Sequence, residues 1–160
     1  MLEHFKDTDA AETAFFTAWT CALGPDALPD FTPALRLAEK ALAQGDHNAR
    51  SHQAVGAIHY RAGRWGECVK HVHAAEAAAN PQELTSSAYW HYFLAMAEHR
   101  LGHKEEAHQW LDKAVAQTDK ELRDEAQTGG PDGWVRKATL QVLRPEAEAL
   151  IRGSAAGPEK

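Results

Sequence analysis

Histidine is the residue type in this sequence best suited to metal binding or proton transfer, and ten of the 160 residues are histidines. Imidazole nitrogens bind first-row metal ions and exchange protons near neutral pH. His71 and His73 are two residues apart, so a helix would direct them to different sides. The segment from His103 to His108 lacks the spacing of the His-Glu-x-x-His zinc motif. Spacing alone therefore predicts no metal ligand set, no stoichiometric metal and no cofactor.

Carboxylates, serines and cysteines give no indication of catalysis. The acidic residues are scattered along polar helix faces, and no serine or cysteine has an evident general base beside it in sequence. Cys21 and Cys68 are isolated in helical stretches, which predicts two small buried thiols in a reducing compartment and no disulfide. The sequence therefore predicts a protein that is not an enzyme and has no catalytic residues.

The stretch from Gly56 to Ala75 predicts the structural unit on which the rest of the chain is built. Apolar and small residues recur three or four positions apart on both sides of Gly63, whose left-handed conformation would end the first helix. A shift of 39 residues carries Gly63 onto Gly102, and a shift of 34 residues in the other direction carries Ala75 onto Ala41. A hairpin of this kind cannot bury its own apolar faces, so we expect its copies to pack on one another.

This period and its small residues resemble the tetratricopeptide repeat family. The resemblance covers roughly residues 10 to 120. It implies an all-α superhelix of about three antiparallel helical hairpins, followed by a C-terminal capping helix. The matching positions in two successive copies are Gly56, Tyr60, Gly63, Cys68 and Ala75, then Ala95, Gly102, Ala107 and Ala114.

Two local features resemble the tetratricopeptide segments found beside bacterial serine/threonine kinases. A loop containing Pro29 follows an Ala-Trp helix, and the segments 60–63 and 93–97 match the same subgroup. The chain has no glycine-rich nucleotide loop and no kinase catalytic motif. A kinase would therefore be a neighbour of this chain.

Turn and capping residues predict one helical repeat domain, 1–152, and a disordered tail, 153–160. We expect Thr32 and Asn48 to be N-caps, and Pro145 to break or restart the last helix. Further helix boundaries are expected at Asp9, Pro81, Glu83, Lys120 and Gly129–Pro131. The hairpins are expected at about 9–44, 48–80 and 81–120, with the capping helix at about 133–151, where Trp134, Val142, Leu143, Leu150 and Ile151 would cover the last repeat.

In proteins of this family the first helix of each hairpin lines a concave groove, where a peptide or a helix of a partner protein binds. Aromatic residues and Arg dominate binding hot spots, and Met adapts to varied apolar partners. The resemblance therefore implies a non-enzymatic protein–protein interaction scaffold. The residues expected to line its groove are Phe15, Trp19, Gln53, Tyr60, Arg61, Tyr92, Met96, His99 and Arg100.

A second function, a metal-binding enzyme or sensor, stays open because of an unusual substitution. The slots that the family fills with Trp and Tyr hold His52, His59, His91 and Glu98 here, and these side chains could converge between adjacent repeats. The competing interpretation is a hydrogen-bonded polar patch. Self-association of short repeat arrays, end to end, is a third option.

Composition limits the partners further. A net charge of −6 argues against a nucleic-acid partner, since phosphate binding requires a basic face. The sequence has no apolar run of membrane-spanning length and no charged-then-apolar leader. We therefore expect a cytoplasmic protein whose partner is a protein or peptide, with no membrane attachment.

Overall fold

Every regular element in the part of the chain that the computed structural model describes, residues 2–5, 10–45, 48–80, 86–128 and 133–153, is an α-helix. The all-α class predicted from the sequence is therefore confirmed. The helices of these residues are α1 Leu2–Phe5, α2 Ala11–Leu23, α3 Thr32–Gln44, α4 Ala49–Arg61, α5 Trp65–Ala78, α6 Ser87–Leu101, α7 Lys104–Thr128 and α8 Gly133–Arg152.

The chain divides into two compact units, an N-terminal unit Met1–Thr85 and a C-terminal unit Ser86–Lys160. In the N-terminal unit, α4 is the central helix, because α2, α3 and α5 all pack on it. Its buried residues run almost without a break along its length, including Val55 and Ile58. A helix that is apolar on most of its circumference is stable only when neighbours cover it on several sides.

The predicted hairpin is confirmed as α4 and α5, and three local features fix it. The Asn48 side chain accepts a hydrogen bond from the Ser51 backbone N–H at 2.9 Å, which caps α4 as predicted. After α4, Gly63 has a φ of 73°, the left-handed conformation that only glycine adopts without strain. Gly56 lets the two helices approach closely, since a Cβ there would lie 3.3 Å from Val72 Cγ2.

In the C-terminal unit, α6 is the central helix, with α7 and α8 both packed on it. Its buried residues are continuous from Ala88 to Glu98, so it too is covered on all sides. Inside this core the Tyr92 hydroxyl lies 2.8 Å from Thr118 Oγ1, and that oxygen in turn donates to the Ala114 carbonyl at 2.8 Å. The buried phenol of Tyr92 is therefore satisfied by α7.

Three predicted boundaries differ from the structure. Phe31, and not Thr32, occupies the N-cap of α3, while the Asp30 carboxylate accepts from the Thr32 N–H at 2.9 Å. The helix α7 continues past Lys120 to Thr128, because the residues that follow Lys120 are mostly good helix formers. The helix α8 continues through Pro145, whose ring lies on the exposed side while buried residues before and after it hold the helix in place.

The remaining predicted boundaries, at Asp9, Pro81, Glu83 and Gly129–Pro131, lie outside the described residues, as does the predicted tail from residue 154 onward. The expected covering residues of α8 are partly correct. Leu143 and Ile151 are buried, whereas Trp134 and Val142 are exposed. None of the helices in the described ranges combines the length and the apolar character needed to cross a bilayer.

Candidate functional site

Three histidines and a glutamate meet where α4 packs against α5. His52 and His59 are seven residues apart on α4, which places them on the same face of the helix. His71 reaches this face from α5, and its ring stacks on that of His59 with centroids 5.4 Å apart and planes at 25°. His52 Nδ1 and His71 Nδ1 are 3.2 Å apart. We call His52, His59, His71 and Glu67 the histidine cluster.

Within this cluster, His59, His71 and Glu67 each offer one ligand atom, and these atoms all lie within 4.8 Å of one another. His59 is buried, His71 is half-buried, and Glu67 is exposed. The group therefore extends from the helix interface to the surface. Imidazole nitrogens and a carboxylate oxygen in this arrangement are a ligand set typical of zinc and related ions.

Burial lowers the pKa of two imidazoles of the cluster, those of His71 and His59, and so favours their neutral form. The pKa of His71 is lowered to about 4, mainly by loss of water on burial and also by the neighbouring His59 and His52. Burial is also the main cause of the lowered pKa of His59, with Arg64 adding to it. Neutral imidazole is the form that donates its nitrogen lone pair to a metal ion.

Sequence reasoning missed His71 as a member of this cluster, because it was weighed only against His73. His73 does point elsewhere, and its Nδ1 lies 3.3 Å from a Glu76 carboxylate oxygen. The signal that could have found His71 is Gly56, which marks the closest approach of the two helices. A Cβ at Gly56 would lie 3.4 Å from the Cβ of His71.

His91 and Glu98, the other predicted members, lie in the C-terminal unit and have different partners there. The His91 ring stacks on Trp110 with centroids 5.3 Å apart. A Glu98 carboxylate oxygen lies 2.6 Å from His103 Nδ1, and this hydrogen bond raises the pKa of His103. The repeat shift of 39 residues places Trp110 at the slot that His71 fills in the preceding hairpin. The second hairpin therefore lacks an imidazole where the first has one.

Most of the predicted groove residues are buried side chains. Phe15, Trp19, Gln53 and Tyr60 in the N-terminal unit, and Tyr92 and Met96 in the C-terminal unit, are all buried. His99 is half-buried, and Arg100 is exposed. The expectation that Tyr92 and Met96 face a partner is wrong for this structure, because both have no exposed area and α8 packs on the helix that carries them.

Arg61, the remaining predicted groove residue, and Phe15 both have intramolecular contacts in the N-terminal unit. Arg61 Nε donates to the Ala22 carbonyl at 2.6 Å, so its guanidinium satisfies the C-terminal end of α2. The Arg50 guanidinium lies over the Phe15 ring, 4.1 Å from its centroid. Both contacts stabilise the packing of α2 against α4.

A long apolar surface lies instead on the outer side of α8. Five exposed residues recur there at alternating steps of three and four, and we call them the outer stripe: Val135, Ala138, Val142, Pro145 and Ala149. Trp134, immediately before the stripe, is 72% exposed. The opposite side of α8 carries the residues that pack inward, among them Leu140 and Leu143.

Comparison of the chain with models of protein families, with curated proteins and with solved structures gives no match. The resemblance to tetratricopeptide repeats therefore remains a prediction from the sequence.

Proposed function

We propose that this chain is a non-enzymatic protein-interaction module that binds one α-helix of a partner protein along the outer stripe of α8. The observation that carries the proposal is the alternating three-and-four spacing of exposed apolar residues from Val135 to Ala149. That alternation is the spacing of a helix–helix seam, in which apolar residues of one helix insert between those of another. A helix face that contacts only water normally carries polar and charged residues and does not require regularly spaced apolar ones.

The dimensions of the stripe suit a helical partner. The 14 residue steps from Val135 to Ala149 span about 21 Å at a rise of about 1.5 Å per residue, which is roughly four helical turns. Ala138 and Ala149 are small, so the axis of a partner helix can approach closely there. An extended peptide would gain little from this regular spacing, because its own side chains repeat every two residues.

An aromatic residue beside the stripe indicates the chemistry of the partner helix. Trp134 is exposed near the N-terminal end of the stripe. Tryptophan is enriched among residues that dominate binding energy. The partner we infer is therefore an amphipathic helix whose apolar seam faces the stripe and Trp134.

The wider setting of the module is also a proposal. Antiparallel hairpins with glycine turns support a tetratricopeptide-type superhelix, and the sequence features around Pro29 support a relationship to bacterial kinase-associated segments. Cys21 and Cys68 are both buried and unbridged, which supports a reducing cytoplasm as the compartment.

Site-specific photocrosslinking tests the proposed surface in the native cell. A photoreactive phenylalanine analogue replaces Val142 on the stripe, and in a matched control it replaces Gln109, which is exposed on α7. We expect one protein to be crosslinked from position 142 only, and mass spectrometry of the product identifies both it and the crosslinked segment. That segment should lie in an amphipathic helix.

A titration with the identified helix as a synthetic peptide gives the energetics. Val142→Asp should weaken binding at least about tenfold, since it places a charge in an apolar seam, whereas Gln109→Asp should leave it unchanged. Equal crosslinking from both positions would overturn the proposal. Crosslinking only to another copy of this chain would replace the partner helix by self-association.

A further inference from the structure

We propose that the histidine cluster binds one divalent transition-metal ion, with Zn²⁺ as the representative ion, through His59, His71 and Glu67. All three residues lie in the N-terminal unit, on α4 and α5. The site therefore does not depend on the outer stripe of α8. It also differs from the set of His52, His59, His91 and Glu98 suggested by the sequence. His71 and Glu67 replace the two members from the C-terminal unit, and His52 is not a ligand.

The spacing of the ligand atoms fits a tetrahedral ion after small side-chain movements. Zinc–nitrogen bonds of about 2.0–2.1 Å place two ligands of a tetrahedral ion roughly 3.3–3.4 Å apart. The ligand atoms of the three residues lie within 4.8 Å of one another. Glu67 is exposed, so its side chain has room to rotate toward the two imidazoles.

His59 supplies an independent indication that a ligand belongs here. Its side chain is only 6% exposed, and its Nδ1 is buried without a hydrogen-bond partner among the described residues. A buried polar atom that has no partner is a costly state that folded proteins seldom keep. A metal ion is one of the few partners small enough to reach a nitrogen between two packed helices.

His52 orients His71 and is not needed as a ligand itself. The two Nδ1 atoms are 3.2 Å apart, so one ring donates a hydrogen bond to the other. Imidazoles that bind metals usually hold their ring orientation through a hydrogen bond at the second nitrogen. In the tautomer that suits metal binding, His71 Nδ1–H donates to His52 Nδ1, and the lone pair of His71 Nε2 is then available to the ion.

Charges of both signs act on the His59 ring, with Glu67 and Glu39 opposing Arg64 and Lys70. The Glu67 carboxylate supplies negative charge, and its ion pair with Lys70 at 3.4 Å joins two exposed side chains, 51% and 72% exposed. Such a surface pair contributes little and is readily exchanged for a metal–carboxylate bond. Three protein ligands leave the fourth position of a tetrahedral ion open to water or to a further ligand.

The equivalent place in the next hairpin provides an internal contrast. There Trp110 stacks on His91, and Glu98 is engaged by His103. An indole cannot coordinate an ion through a lone pair as imidazole does. In the part of the chain that the structure describes, the histidine cluster is the one group of three with this ligand geometry.

Metal titration of the full chain, prepared without a histidine tag and stripped with a chelator, tests the proposal. Each chain should bind one Zn²⁺ ion. Co²⁺ at the same site should give the intense visible absorption of tetrahedral coordination. Mg²⁺ at equal concentration should not compete, because it prefers octahedral oxygen ligands. Glu67→Gln should weaken Zn²⁺ binding at least about tenfold with the fold retained, since Glu67 is exposed.

His73→Ala is the matched control, because it removes a histidine from the same helix outside the cluster. It should leave both the stoichiometry and the affinity unchanged, while His71→Ala should abolish the cobalt absorption. His59→Gln tests the buried ligand, and circular dichroism verifies that this variant is folded. The proposal is wrong if the parent protein binds no Zn²⁺ at micromolar concentration. It is equally wrong if Glu67→Gln and His73→Ala weaken binding to the same extent.

Discussion

The ionisation of His103 depends mainly on one neighbouring residue, Glu98. Its Nδ1 lies 2.6 Å from a Glu98 carboxylate oxygen, and this hydrogen bond is the main cause that raises its pKa above 6.5. A raised pKa in the folded state means that the pair stabilises the fold fully below the unfolded-state pKa. That contribution is lost as the pH rises through the folded-state pKa.

An NMR titration of the His103 ring should therefore give a midpoint above 6.5, which is the ordinary value for histidine. Glu98→Gln should lower this midpoint, because a neutral amide favours the protonated ring much less than a carboxylate does. Glu106→Gln is the control and should lower it less, since Glu106 acts on His103 only at longer range. Equal shifts in the two variants would contradict the assignment.

Substitutions at Gly56 and Gly66 should change the free energy of unfolding in opposite directions, although both residues lie in the same hairpin. A Cβ at Gly56 would meet Val72 Cγ2 at 3.3 Å, whereas a Cβ at Gly66 would have nothing within 4 Å. We expect Gly56→Leu to lower the free energy of unfolding by about 1–3 kcal/mol through overpacking. Gly66→Ala should raise it by about 0.4–1 kcal/mol, because it restricts the unfolded chain. Denaturant melts of both variants check this, and a stabilising Gly56→Leu would refute the close contact.

At the scale of helices, Tyr92 shows how α6 and α7 are joined. Its ring is fully buried, and its hydroxyl bonds to Thr118. We expect Tyr92→Phe to cost about 0.5–1.5 kcal/mol, since a buried hydroxyl of Thr118 loses its donor. Tyr92→Ala should cost about 3–5 kcal/mol by leaving a large cavity. Thermal melts measure both costs, and a Tyr92→Ala variant as stable as the parent would show that the ring is not part of the core.

The sequence was sufficient for the hairpins but not for the position of α8. Glycine turns, Asn48 and the spacing of small residues predict α4 and α5 because these signals are local and act on the backbone directly. The burial of α6 depends on α8 covering the part of its surface that α7 leaves open. No local pattern in the sequence of α6 indicates which helix will pack there. Aromatic residues of α6 were therefore assigned to an open groove, although α8 packs on this helix.

The histidine cluster was only partly predictable for a similar reason. The seven-residue spacing places His52 and His59 on one face of α4, and this follows from helix geometry alone. The partner of that face depends on the rotation of α5 about its own axis. Close packing at Gly56 sets this rotation and brings His71 opposite His59.

At the scale of the whole chain, hydrogen exchange should localise the effect of a bound metal. The proposed ligands belong to α4 and α5, so Zn²⁺ should slow amide exchange chiefly in Ala49–Arg61 and Trp65–Ala78. The same addition should leave α8 unchanged. Comparison with Glu67→Gln at equal Zn²⁺ separates the specific effect from ions bound loosely to surface histidines. Protection spread evenly over the chain would contradict a local site.

The exposed indole of Trp134 makes the chain its own optical reporter. Among the five tryptophans, Trp19 and Trp90 are buried, whereas Trp134 is 72% exposed and lies next to the outer stripe. A helix seated on the stripe would transfer this indole from water into an apolar contact, and its fluorescence emission should move to shorter wavelength. Trp134→Phe should remove that change and leave the other emission intact. A partner that binds without shifting the emission of Trp134 is docked elsewhere on the molecule.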